Sequence, residues 1–263
     1  MHRGSLTLCS LALAVGAAVA STAMAQTPPP AAPAASAPAA DAVDPAAIQA
    51  LKSMGAYLAT LKRFEVETEL TGERVLTDGQ KLQHSASAKL EVERPNRLRA
   101  KLDTARIQRQ LYYDGKQVTL YAPAQKYYSS VPFTGTLDEL VEALQGKYGI
   151  EVPLADLFAW GTAAAPTDGI ESAMIVGQGL VDGEVCDQYA FRQGKLDWQI
   201  WISTRAGRPL PRKLVITNRT DEAHPQSVSL IEWDLKPDFK SSAFTFRPPS
   251  GAKQIEMVPR KAK

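Results

Sequence analysis

Cysteine is almost absent from this chain: two in 263 residues, Cys9 and Cys186. That excludes a disulfide-stapled scaffold. Histidine is equally scarce, with three residues, and two isolated histidines beyond His2 do not make a metal site. Neither sign of charge dominates: 30 Lys and Arg stand against 28 Asp and Glu. No strong field therefore points to nucleic acid. Nucleophile-elbow, zinc-protease, C-x-x-C and P-loop signatures are all missing. Gly177-Gln178-Gly179 lacks the third glycine of a dinucleotide fingerprint. With no nucleophile, base or metal cluster in view, the expectation is a protein that is not an enzyme and uses no cofactor and no metal.

What is present starts with a leader. Met1 to Arg3 is short and basic, Leu6 to Ala20 is apolar, and Ala23-Met24-Ala25 supplies a small-x-small cleavage pattern. Residues 1–25 read as a secretory signal peptide, too short in its apolar part to span about 30 Å of hydrocarbon comfortably. The expected location is the periplasm, with no integral membrane segment after cleavage. Residues 26–44 are rich in Pro and Ala and read as a disordered leader or semi-stiff tether. Residues 45–263 read as one domain, large enough to bury its own core. Cys186 is then the sole thiol, better suited to the core than to chemistry.

Asp44-Pro45 opens a helix as N-cap and first-turn proline. Ile48, Leu51, Met54, Tyr57, Leu58 and Leu61 form its apolar stripe. From Phe64 the period changes from 3.6 to 2. Phe64, Val66, Thr68 and Leu70 alternate with Glu65, Glu67 and Glu69, a half-buried strand with a solvated acidic face. Five more strands follow to about Phe133, joined by turns at Asp78-Gly79, Pro95-Asn96 and Asp114-Gly115, which reads as an antiparallel meander. Thr136 and Glu139 form a capping box for a helix over 136–146, and Pro153 starts a second helix that Gly161 closes. Strands resume near Ala173 and run to about Leu235, for about eleven in all.

A twisted antiparallel sheet of that size curls. Its apolar inner wall must be covered by helices, filled by side chains, or occupied by a ligand. Trp198, Ile200 and Ile202 on one strand and Ile231, Trp233 and Leu235 on another supply bulk that suits either a packed core or a lidded acyl cavity.

The segment Glu93-Arg94-Pro95-Asn96-Arg97-Leu98 resembles a strand start of the LolA/LolB-like superfamily of periplasmic lipoprotein carriers. Tyr113-Asp114-Gly115-Lys116 with Tyr121-Ala122-Pro123 resembles one of their hairpins, and Phe244 to Gly251 their ending. More narrowly, Asp197 to Ile202 with Pro209 to Lys213 is similar to a domain-of-unknown-function family of predicted periplasmic proteins within that superfamily. The resemblance spans residues 45–250. It implies an α+β, mainly antiparallel fold: an unclosed, curled β-barrel with an N-terminal helix and two lid helices over a hydrophobic cavity. The cavity would draw on Leu98, Leu102, Leu111, Leu140, Leu144, Leu157, Phe158, Trp198, Ile200 and Trp233. Arg109 shares the strand phase of Ile107 and Leu111, which puts it either on the concave side as a polar contact or, in a shifted register, in solvent. The expected partner is a lipid or the acyl chains of a lipoprotein. The alternative is a filled core whose outer face recognises an envelope protein, as an interaction or sensor module.

Overall fold

Asp44 ends an extended segment and its carboxylate accepts a hydrogen bond from the Ala46 amide at 2.8 Å. With Pro45 at the first position this sets the start of helix α1, Pro45–Thr60, which buries Ala47, Leu51, Met54, Gly55 and Leu58. The computed structural model describes residues 42–162, 165 and 167–260. The segment read as a signal peptide, 1–25, and nearly all of the expected leader, 26–44, lie outside the described residues.

Two meanders follow. The first is β1 (Arg63–Val75), β2 (Lys81–Glu93), β3 (Arg97–Thr104), β4 (Gln108–Tyr113), β5 (Gln117–Ala122) and β6 (Tyr127–Pro132). The second is β7 (Ile170–Val181), β8 (Glu184–Gln193), β9 (Leu196–Ser203), β10 (Pro211–Asn218) and β11 (Gln226–Asp234). Antiparallel pairing of β1 with β11, with Val66 opposite Trp233 and Thr68 opposite Ile231, fuses them into one sheet. The order is β12-β6-β5-β4-β3-β2-β1-β11-β10-β9-β8-β7. The sheet is curled and unclosed, and it has one strand more than the sequence suggests. The extra strand, β12 (Lys253–Gln254), is two polar residues running parallel to β6, too short to carry a periodic signal.

Topology explains the cover. Strands β6 and β7 lie at opposite sides of the sheet, so the described residues that follow β6, 133–162, set out across it. They carry α2 (Leu137–Ala143) and α3 (Asp156–Ala159). The capping box at Thr136 and Glu139 is formed. Both helices are shorter than their sequence patterns suggest. After Ala143 the chain widens into a π-helical turn, Leu144–Tyr148, which Gly149 ends at φ 66°. Pro153 lies in a turn ahead of α3 rather than at its start. The next residue, Leu154, has φ 54°, and no helix propagates through a left-handed residue.

One apolar cluster joins the helices to the concave face: Leu51, Met54 and Leu58 from α1, Leu140 and Phe158 from the crossing segment, and Phe64, Leu90, Leu98 and Ile231 from the sheet. Tyr113 is fully buried and its hydroxyl both donates to the Gly135 carbonyl at 2.6 Å and accepts from the Gly135 amide at 3.0 Å. That bond ties the start of the crossing segment to β4. The closing segment packs elsewhere. Phe246 sits among Tyr112, Tyr121 and Tyr128, with ring centroids 5.1–5.2 Å away.

Candidate functional site

The helices do not fill the concave face. A hollow of about 480 Å³ remains beneath them, within the roughly 300–1,000 Å³ of small-molecule sites. Its floor is Leu196, Trp198 and Ile200 of β9, Leu214 and Ile216 of β10, Ser227, Ser229 and Ile231 of β11, and Leu70 of β1. Strand alternation places these side chains on one face. Its roof is Met54 of α1, Val141 of α2 and the stretch Ile150–Leu157 with Trp160. Trp160 and Trp198 meet across it at 6.5 Å between centroids, and Phe191 stacks on Trp198 at 4.1 Å. A second hollow of about 190 Å³ lies on the other side of the same roof. Leu102, Arg109, Leu111 and Leu120 line it, and it shares Ile150, Glu151 and Val152 with the first.

Of the residues singled out from the sequence, Leu157, Trp198 and Ile200 line the larger hollow. Leu102, Leu111 and Arg109 line the smaller one. Arg109 is half-buried there, and its guanidinium donates to the Gln108 carbonyl at 2.9 Å. Leu98, Leu140, Leu144 and Phe158 are buried in the main core and line neither hollow. Trp233 packs against Phe64 at 5.6 Å and donates its indole N–H to the Pro211 carbonyl at 2.8 Å. It too lines neither.

Sequence reasoning missed Leu70, Leu214, Ile216, Ser227, Ser229 and Asp156. A signal for the serines was present. Ser227 and Ser229 occupy the same strand phase as Ile231, so the inward face of β11 loses bulk where the hollow lies. Asp156 interrupts the otherwise apolar run around Leu157 and Phe158.

The larger hollow is apolar with an acidic streak. Asp156 has no hydrogen bond or ion pair to its carboxylate among the described residues, and crowding by protein atoms raises that carboxyl above the ordinary carboxylate range. The side chain is nonetheless exposed, so the crowding is that of a rim open to solvent rather than a sealed core. A raised folded-state pKa means the charged form costs stability at neutral pH. The cost disappears as pH falls through the raised value and the folded protein takes up the proton ahead of the unfolded chain. Asp156→Asn is therefore expected to melt above the parent at pH 7, by a margin that narrows toward about pH 4. Thermal melts across that range check this, and a lower melting temperature at pH 7 would contradict it.

Other reactive-looking groups have structural explanations. Cys186 is fully buried, its thiol pushed up by desolvation, and its Sγ donates to the Glu184 carbonyl at 3.7 Å. On the acidic face of β1, Lys89 pairs with two of the three glutamates, its ammonium reaching Glu65 at 2.5 Å and Glu67 at 2.9 Å. Among the described residues no three His, Cys, Asp or Glu side chains converge as a metal site. No helix among them is long and apolar enough to cross a membrane.

A family model described as "Predicted periplasmic protein (DUF2092)" matches residues 47–258. No curated protein matches the chain. Solved structures of similar shape include LprF from Mycobacterium bovis, at 14% identity, TM-score 0.45, covering 80% of this chain and 99% of that one. The lipoprotein LppX from Mycobacterium tuberculosis shares 12% identity at TM-score 0.43, over 74% and 97%. A LolA superfamily protein from Nitrosomonas europaea shares 11% at TM-score 0.36, over 76% and 97%.

Proposed function

The chain belongs to the DUF2092 family of predicted periplasmic proteins, and on that premise we propose that it is a non-enzymatic binding protein that takes an acyl chain, of a lipid or of a lipoprotein, into the hollow beneath its crossing segment. It acts as a single domain, residues 45–263, released into the periplasm by cleavage of the signal peptide 1–25 and preceded by the leader 26–44.

One observation carries this reading: a hollow of about 480 Å³ separates the apolar floor of β9, β10 and β11 from its roof, and Leu70, Leu214 and Ile216 of that floor keep accessible surface. A largely apolar groove of this size, open to solvent, is the kind of surface that a binding partner covers. Each methylene that enters contributes about 0.8 kcal/mol, which is about fourfold in affinity. The roof stretch 150–157 is the element that must move to admit a chain.

The test is displacement of a fluorescent fatty probe by straight-chain alcohols of increasing length. Affinity should rise about fourfold per methylene until the hollow is full. Absence of probe uptake, or affinity indifferent to length, would contradict the proposal.

A second reading, an envelope protein-interaction module, draws on a different feature. Strand β7 ends the sheet and exposes Ile175, Val176 and Leu180, the last 73% accessible. Open apolar edge strands recruit further strands. A single stoichiometric protein retained by the full chain, lost on Leu180→Lys, would favour it.

A further inference from the structure

The charges around the two hollows are sorted by sign. Glu151 and Asp156 are the charged residues lining the larger hollow, and its other polar groups, among them Gln193 and Ser229, are neutral. The smaller hollow carries Lys101 and Arg109 beside the shared Glu151. Composition does not account for this, because Lys and Arg outnumber Asp and Glu over the whole chain.

Carboxylates elsewhere in the sheet are answered by cations. Glu91 has Arg99 at 3.0 Å, Glu65 has Lys89 at 2.5 Å, and Glu184 has Arg205 at 3.2 Å and Arg212 at 3.5 Å. Asp156 and Glu151 keep exposed side chains at the mouth of the hollow, and no cation answers Asp156 among the described residues. The aromatic lining points the same way. Trp160 and Trp198 flank the space, and indole faces attract cations, most of all where water is excluded. An apolar floor, two acids and two indoles complement one kind of guest: a positive head on an apolar tail.

We propose that the larger hollow is selective for amphiphiles with a cationic head, an alkyl amine or a lipid bearing an amine, with the head against Asp156 and Glu151 and the tail over Leu214 and Ile231. This rests on the acyl-binding reading above and names the head group that reading leaves open. The ligand supplies the counter-charge that the fold withholds from Asp156, so the head is held by charge-assisted contacts and the chain by burial.

The experiment compares dodecylamine, dodecanol and dodecanoate, each below its micellar concentration, binding to the full chain, with the emission of the tryptophans lining the hollow and calorimetry as readouts. Dodecylamine should bind about tenfold more tightly than dodecanol, and dodecanoate more weakly than either. Asp156→Asn should remove the preference for the amine, read as the ratio of dodecylamine to dodecanol affinity within the same variant, and Glu151→Gln should reduce it. Equal affinity for amine and alcohol, or an amine preference that survives in both variants, overturns the head-group assignment while the acyl reading stands. Tighter binding of dodecanoate than of dodecylamine overturns it as well. Failure of all three to bind brings down the acyl reading itself, and this proposal with it.

Discussion

Gly161→Ala should destabilise the protein by about 2–5 kcal/mol and free the roof of the hollow. Gly161 closes α3 at φ 82°, and a Cβ there would fall inside the Gly55 carbonyl oxygen and within 2.9 Å of the Ala59 Cβ. The contact is mutual, since a Cβ on Gly55 would meet the Gly161 amide nitrogen at 2.7 Å. Backbone meets backbone here, so no flexible side chain can give way. Two glycines thus let the end of the roof touch α1, an approach that offsets the helix weakness introduced by Gly55. The cost combines about 1–2 kcal/mol for a left-handed alanine with about 1–3 kcal/mol of overpacking. Gly79→Ala is the matched control, with φ 84° and nothing within 4 Å of the added Cβ, so it should lose the backbone part alone. Urea unfolding of both variants, with limited proteolysis of residues 150–162, separates the two parts. A Gly161→Ala cost no larger than that of Gly79→Ala would contradict the clamp.

Filling the hollow should abolish acyl uptake without unfolding the protein. Ser229→Phe places a ring on the floor and Ala155→Phe places one under the roof, both at positions lining the larger space. An added phenyl buries apolar area into a void, so stability should hold or rise. Uptake of a fatty probe should fall at least tenfold, a loss of about 1.4 kcal/mol or more. The pair approaches from opposite walls, so a packing accident at one site would not be repeated at the other. Uptake preserved in both variants, with unchanged melting, would place the binding site elsewhere.

The elements were legible because each carries a local physical signature. Asp44 and Pro45 mark α1 by capping chemistry, and the alternation of Phe64, Val66, Thr68 and Leu70 with glutamates marks β1 by its half-buried period. Thr136 and Glu139 announce α2. The π turn at Leu144 and the left-handed Leu154 carry no such mark, so both roof helices came out shorter than their patterns. The hollow was harder to read for a deeper reason. Periodicity tells whether a side chain points inward, not whether it meets protein or space when it gets there. Leu98, Leu140 and Phe158 share the inward phase and the core cluster with Ile200 and Leu157, yet only the last two also line the larger hollow. What separates the groups is the arrangement of strands β6 and β7 on opposite sides of the sheet, which sends one thin segment across a wide floor. Small residues in an inward phase, such as Ser227 and Ser229, are the local trace of that geometry.

The most direct measurement is mass spectrometry of an organic extract of the mature protein purified natively from its own periplasm. The account predicts an acyl-bearing molecule at near one-to-one stoichiometry, absent from an extract of Ser229→Phe prepared in the same way. A protein that arrives empty, and a crystal structure in which ordinary side chains close the space beneath residues 150–157, would contradict it.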